Sequence, residues 1–237
     1  KCKTIVHELE DDENIAGLLQ SEVQGKLMIS SSVAFGRRVL TPLVLQFMGQ
    51  HPQLQVSLNL DDRYINLVEE GVDLAIRMGR LSDSSLGARF LGLNPWVVVA
   101  TPEYLEKNGT PSIPSDLSKH IALIYSSVQG DHRWQFTGRD GSNKSIQVSG
   151  PLYSNNLSTL LAATRNHLGI AALPWYVAYS SVQSRHLKPL LADWSLPAQE
   201  IHAVFSSPRL VPTKVSMLID WLAGQFRGNW WTQEIGS

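Results

Sequence analysis

The chain has 237 residues, 43% of them apolar and 17% charged, enough to bury a full core as one large domain or as two smaller α/β lobes. Its formal charge of −1 excludes the basic field that grips a phosphate backbone, so these residues by themselves are a poor nucleic-acid binder. A single cysteine, Cys2, excludes an internal disulfide and reads as an incidental terminal thiol; no Cys/His group has zinc spacing, and a reducing compartment is expected.

No apolar run reaches about 18 residues, and the N-terminus lacks the basic-then-apolar order of a secretory signal, so a cytoplasmic setting without a membrane is expected. Over residues 1–24, Ile5, Leu9, Asp12, Ala16 and Leu19 fall at alternating steps of four and three, a coiled-coil-like seam interrupted by Asp12 and crowded by acids. With fewer than three heptads, it reads equally as the end of a partner-binding helix or as a solvated terminal helix.

From Gly25 strands and helices alternate. Leu27 to Ile29 form an apolar run, Ser30 to Ser32 a hydroxyl-rich loop, and Val39, Leu40, Leu43, Val44, Phe47 and Met48 recur at helical spacing. Residues 55–60 alternate as a strand ending in Asp61-Asp62-Arg63, and Ile65, Leu67 and Val68 predict a short helix closed at Gly71. Strands are expected over 72–78, 86–91 and 96–100, the first two separated by a loop rich in Gly, Ser and Asp. This order predicts a mainly parallel sheet with helices on its faces.

Thr101, Pro102 and Glu103 begin a helix as cap, first-turn proline and acid. A turn-rich connection over 111–119 leads to a strand over 121–125, and residues 133–137 and 144–149 flank a Gly-Arg-Asp-Gly hairpin turn. Asn155 and Asn156 precede a helix marked by Leu157, Leu160, Leu161, Thr164 and Leu168. A buried strand over 169–174, a helix over 175–184, an edge strand over 187–191, a strand over 200–205 and a closing helix carrying Val215, Leu218, Ile219, Leu222 and Phe226 complete the pattern. Residues 228–237 show no period.

The most function-like feature is a pair of capped helix starts, at Ser31 to Phe35 and at Ser154 to Ser158; facing one another, they could hold a polar group from two sides. Each by itself reads as an ordinary cap. No GxSxG elbow, HExxH, Walker loop or GxGxxG opens a helix, and the seven histidines are scattered, so no catalytic residue, metal site or cofactor is expected. Asp61-Asp62 suits a metal or, with fewer assumptions, a strand-terminating turn.

The segments ISSSVAFGRRVLTPLVLQFMGQHPQLQVSLNLDD, LVEEGVDLAIRMGRLSDSSLGARFLG, VVVATPEYLEKNGTP and NNLSTLLAATRNHLGIAALPWYVA, in this order, resemble the effector-binding region of LysR-type transcriptional regulators. The resemblance implies an α/β fold of two Rossmann-like lobes joined by two crossover strands, the type 2 periplasmic-binding-protein fold. Residues 25–100 plus 202–228 would form lobe I, residues 101–201 lobe II, and residues 229–237 a C-terminal tail. Residues 1–24 would be the end of the linker helix through which such regulators form homodimers or homotetramers, and DNA would be bound only through an N-terminal winged helix-turn-helix that this sequence lacks.

A small-molecule effector is implied in the cleft. Carried over by position, its contacts would be Ser31, Ser32, Val33, Ala34 and Phe35 after the first strand, Asp61 and Arg63 after the second, Thr101 at the hinge, Ser126, Asn155, Asn156, Pro174 and Trp175. Ala34 and Phe35 stand where family members often carry Ser or Thr, which favours an aromatic or partly apolar effector. No arginine is placed by spacing to clamp a carboxylate; Arg77 and Arg133 are the candidates. The alternatives are a solute-binding protein of a transport system with the same fold, and an enzyme on a related two-lobe scaffold.

Overall fold

The computed structural model describes residues 23–233 except 64, 80, 82–84, 127–131 and 207. The seam expected over residues 1–24 therefore lies outside the described residues but for Val23 and Gln24.

Strand β1 (Gly25–Ser31) runs into a continuous helical stretch made of α1 (Val33–Phe35), a π segment (Gly36–Leu40) and α2 (Thr41–Gln50). In the widened segment the Thr41 hydroxyl donates to the Gly36 carbonyl at 2.7 Å. A Cβ at position 36 would overlap the Leu60 side chain at the end of β2 (Leu54–Leu60), which would have to move aside to admit it. Residues 67–71 form turns where a short helix was predicted. Asn66 explains the difference: its side chain accepts the Val68 N–H at 3.2 Å and competes with the helical ladder.

Strands β3 (Leu74–Met78), β4 (Gly87–Asn94) and β5 (Trp96–Ala100) precede α3 (Pro102–Asn108), where Thr101 Oγ1 accepts the Tyr104 N–H at 3.2 Å as the sequence predicts. A 3-10 segment (Pro114–Lys119) leads to β6 (Ala122–Tyr125), the hairpin of β7 (Arg133–Gly138) and β8 (Asn143–Gln147), and β9 (Leu152–Ser154). Then come α4 (Leu157–Arg165), β10 (Ile170–Pro174), α5 (Trp175–Gln183), β11 (Lys188–Leu190), β12 (Trp194–Ser195), β13 (Gln199–Phe205) and α6 (Thr213–Gln225). Leu168, counted on the face of α4 by its spacing, lies past the helix end and is exposed, because His167 turns the chain with a φ of 63°.

The first sheet has the order β2-β1-β3-β13-β4 and the second β11-β5-β10-β6-β9. Parallel pairing holds for β1 with β2 and β3, and for β6 with β9 and β10. The sheets are mixed rather than mainly parallel, because β13 returns from the second lobe and enters antiparallel between β3 and β4, and β5 enters the second sheet antiparallel to β10. The chain passes from one sheet to the other at Pro95, between β4 and β5, and back between β12 and β13.

One apolar cluster packs α2 and α6 on the first sheet through Leu27, Ile29, Leu43, Phe47, Leu218 and Leu222. A second lies between the second sheet and α4 and α5, and it takes in Ala34 from the first lobe. Past the closing helix a 3-10 turn (Trp230–Thr232) appears where no period was visible: Trp230 is fully buried and donates from Nε1 to the Leu93 carbonyl at 2.7 Å. Trp230→Ala should lower unfolding stability by about 3–5 kcal/mol, measured by chemical denaturation, since a large buried ring and its hydrogen bond are both removed.

Candidate functional site

In open α/β sheets the loops after the carboxyl ends of parallel strands build binding sites. Here β1 and β2 of the first sheet end at Ser31 and Leu60, and β6, β9 and β10 of the second end at Tyr125, Ser154 and Pro174. Twelve of the thirteen sequence-predicted residues occupy these ends or the turn and helix residues just after them; Thr101 follows β5. The two sets meet through aromatic rings: Phe35 packs edge-on against Tyr176 of α5 at 5.4 Å, and Trp230 stacks on Tyr176 at 6.2 Å.

On the first lobe, Ser31 is fully buried and its Oγ has no hydrogen-bond partner among the described residues. Ser32 occupies the cap position of the helical stretch without a side-chain cap bond. The free N–H at this helix start is taken by the protein itself, because Val33 N donates to Asp62 Oδ1 at 2.9 Å. Ala34 and Phe35 are both buried, Phe35 among Tyr176, Phe226 and Trp230. Asp61 is engaged by Arg63, whose Nε lies 3.0 Å and Nη2 2.6 Å from Oδ2. With the acids bound in this way, the pair serves its strand-ending turn; among the described residues no group of three or more His, Cys, Asp or Glu converges as metal ligands do.

On the second lobe, Asn156 Oδ1 caps α4 by accepting the Thr159 N–H at 3.0 Å, and its own N–H donates to Ser154 Oγ at 3.1 Å. Asn155 and Ser126 are exposed, and Ser126 N donates to the Ser154 carbonyl at 2.9 Å. Pro174 ends β10, and Trp175 N donates to the Pro95 carbonyl at 2.9 Å, tying α5 to the crossing point. Thr101 is not brought into this group. Its buried hydroxyl caps α3 and lies 2.8 Å from His167 Nδ1, while His167 Nε2 lies 3.2 Å from Glu103. Arg133 stands on the exposed hairpin with Nη1 3.4 Å from Ser145 Oγ, and Arg77 pairs in register with His202 on β13.

Sequence reasoning missed residues that only the tertiary arrangement brings here. Gln199 Oε1 accepts from Asn94 Nδ2 at 3.1 Å and from Trp96 Nε1 at 2.9 Å, so one amide spans both crossing strands. Trp96 in turn lies 5.8 Å from Tyr125. Burial pushes the Tyr176 hydroxyl well above the ordinary phenol range, with smaller effects from the charges of Tyr125 on its own lobe and of Arg38 and Asp62 on the other. Burial lowers the Arg38 guanidinium from its ordinary value, with the neighbouring Arg37 charge second. Asp62 was visible as a strand terminator; Arg38 and Tyr176 gave no signal beyond a place on an apolar helix.

The Arg63 hydrogen bonds hold the Asp61 carboxyl at about 2, below its ordinary 3.8. A depressed pKa means that the pair's favourable term is complete above the ordinary value and is lost as pH falls through about 2. A carboxyl-detected NMR titration should therefore find the Asp61 midpoint near 2, and in Arg63→Gln it should climb toward 3.8.

The LysR substrate binding domain family model matches residues 20–227. An uncharacterized HTH-type transcriptional regulator of Haemophilus influenzae is 32% identical over 216 residues, covering 91% of this chain and 75% of that protein. The HTH-type transcriptional regulator DmlR of Escherichia coli is 34% identical over 206 residues, covering 86% and 66%. Among solved structures, the regulatory domain of CrgA from Neisseria meningitidis matches with a TM-score of 0.76 at 29% identity, covering 86% of this chain and 100% of that one. Full-length AphB of Vibrio cholerae matches with a TM-score of 0.80 at 24% identity, covering 95% and 77%, which shows the shared fold. The sequence-based alternative of a transport solute-binding protein finds no support in these relatives, which are regulators. With residues 20–227 matched and two lobes joined by two crossing strands, the chain belongs to the LysR substrate-binding domain family and is the effector-binding domain of a LysR-type transcriptional regulator.

Proposed function

We propose that this domain senses a small molecule held between its lobes, at the ends of β1 and β2 on one side and of β6, β9 and β10 on the other. The observation that carries this is the meeting of those strand ends around Phe35 and Tyr176, beside a two-strand crossing clasped by Gln199. In this reading Ser31, Ser32, Asp61 and Arg63 belong to one wall, Ser126, Asn155, Asn156, Pro174 and Trp175 to the other, and Val33, Ala34 and Phe35 form an apolar floor. Thr101 acts at one remove, by fixing α3 and His167 behind the crossing. The lobes expected at residues 25–100 plus 202–228 and at 101–201 are drawn in this reading at 25–95 plus 199–228 and at 96–198, because β5 pairs within the second sheet and β13 within the first.

The domain is a sensor and carries out no catalysis. Effector binding shifts the balance between lobe arrangements by its differential affinity for them. The N-terminal segment passes that shift to winged helix-turn-helix heads on DNA in a cytoplasmic homodimer or homotetramer. Screening metabolites for thermal stabilisation identifies the effector, since a ligand at a hundred times its Kd adds about 2.7 kcal/mol. Ser32→Trp and Asn155→Trp should then each weaken binding at least tenfold by calorimetry, with the far-ultraviolet circular dichroism unchanged. Wild-type affinity in both variants would count against this cleft.

A further inference from the structure

Arg38 lies on the π segment one turn beyond Phe35, where that segment packs against α5. It is half-buried, and among the described residues its side chain has neither a hydrogen bond nor an ion pair; the charges that act on it are those of Arg37 and Tyr176. Arg63, by contrast, is paired with Asp61. The helix start beside the serine loop is already occupied by the Asp62 carboxylate, so an incoming anion would meet a like charge there. Arg38 is thus a half-buried cation with no carboxylate partner among the described residues, on a segment that packs against the other lobe's α5. A half-buried unpaired charge costs stability unless something pairs with it, and a guanidinium matches a carboxylate with two parallel hydrogen bonds.

We propose that Arg38 anchors a carboxylate of the effector, with the Tyr176 hydroxyl as a second donor from the opposite lobe. The effector class is a small carboxylic acid whose apolar part rests on the Phe35 and Tyr176 side of the cleft. Burial keeps the Tyr176 phenol protonated, so it donates throughout the physiological range. The inference rests on the cleft reading for its setting, and it names Arg38 where the sequence offered Arg77 and Arg133 as candidates.

The test is the melting temperature of the 237-residue chain with millimolar benzoate, succinate or pyruvate, and with benzamide and succinamide as neutral counterparts. At least one acid should raise the melting temperature by several degrees while its amide does not. Arg38→Gln should abolish that response, whereas Arg37→Gln, which removes the same charge from an exposed neighbour, should keep it. Without ligand, Arg38→Gln should melt no lower than the wild type, because no described partner is lost. A response retained in Arg38→Gln, an amide as effective as its acid, no response to any acid, or a lower melting temperature of ligand-free Arg38→Gln would each overturn the assignment. Asn155→Trp separates the two levels. A response lost there but kept in Arg38→Gln leaves the cleft standing and removes Arg38; one kept both there and in Ser32→Trp but lost in Arg38→Gln retains Arg38 and counts against the cleft walls.

Discussion

The contact of Phe35 with Tyr176 joins two sheets that are otherwise linked only by crossing strands and local packing. Phe35 belongs to the first lobe's core and Tyr176 to the first turn of α5, and Trp230 closes over both from the C-terminal side. Each such aromatic pair contributes about 0.5–1.5 kcal/mol beyond the area it buries. That is enough to bias how the lobes sit and small enough for a ligand's differential affinity to outweigh it. The rings therefore fix where the lobes meet without welding them.

The Gln199 amide has a related role at the crossing. By accepting from Asn94 and Trp96 it ties the last residue of β4 and the first of β5 to the start of β13. Two neutral hydrogen bonds of about 0.5–1.5 kcal/mol each hold the strands in register. Asn94 is almost fully buried, and its Oδ1 has no partner among the described residues, so the crossing carries a polar atom whose needs are not met by neighbouring side chains.

Both helix starts that looked like anion cradles are closed from within. Asp62 takes the Val33 N–H, and Asn156 takes the Thr159 N–H. Capping stabilises each helix by about 1 kcal/mol, and it also changes the chemistry of the cleft by placing a carboxylate where the helix dipole would have favoured a ligand anion. Positive charge is moved one turn further along the helix, to Arg38.

Local chemistry determined a great deal by itself. The Thr101-Pro102 start of α3, the 133–147 hairpin, the Asn156 cap and the apolar run of β5 were all legible, because each depends on propensity, capping or alternation within a few residues. The order of segments also carried the family. Failures occurred where distant residues decide: Asn66 turned a short periodic stretch away from helix, and β13 entered the first sheet antiparallel because it comes back from another lobe. Trp230 stood in a segment with no period, yet it fills the core through contacts with Phe35 and Phe226. At the serine loop, sequence supplied the hydroxyls and the helix. Tertiary structure alone showed that Asp62 already holds the helix start and that the segment carrying Arg38 packs against the helix carrying Tyr176, because electrostatic partnership depends on distance in space and not on spacing along the chain.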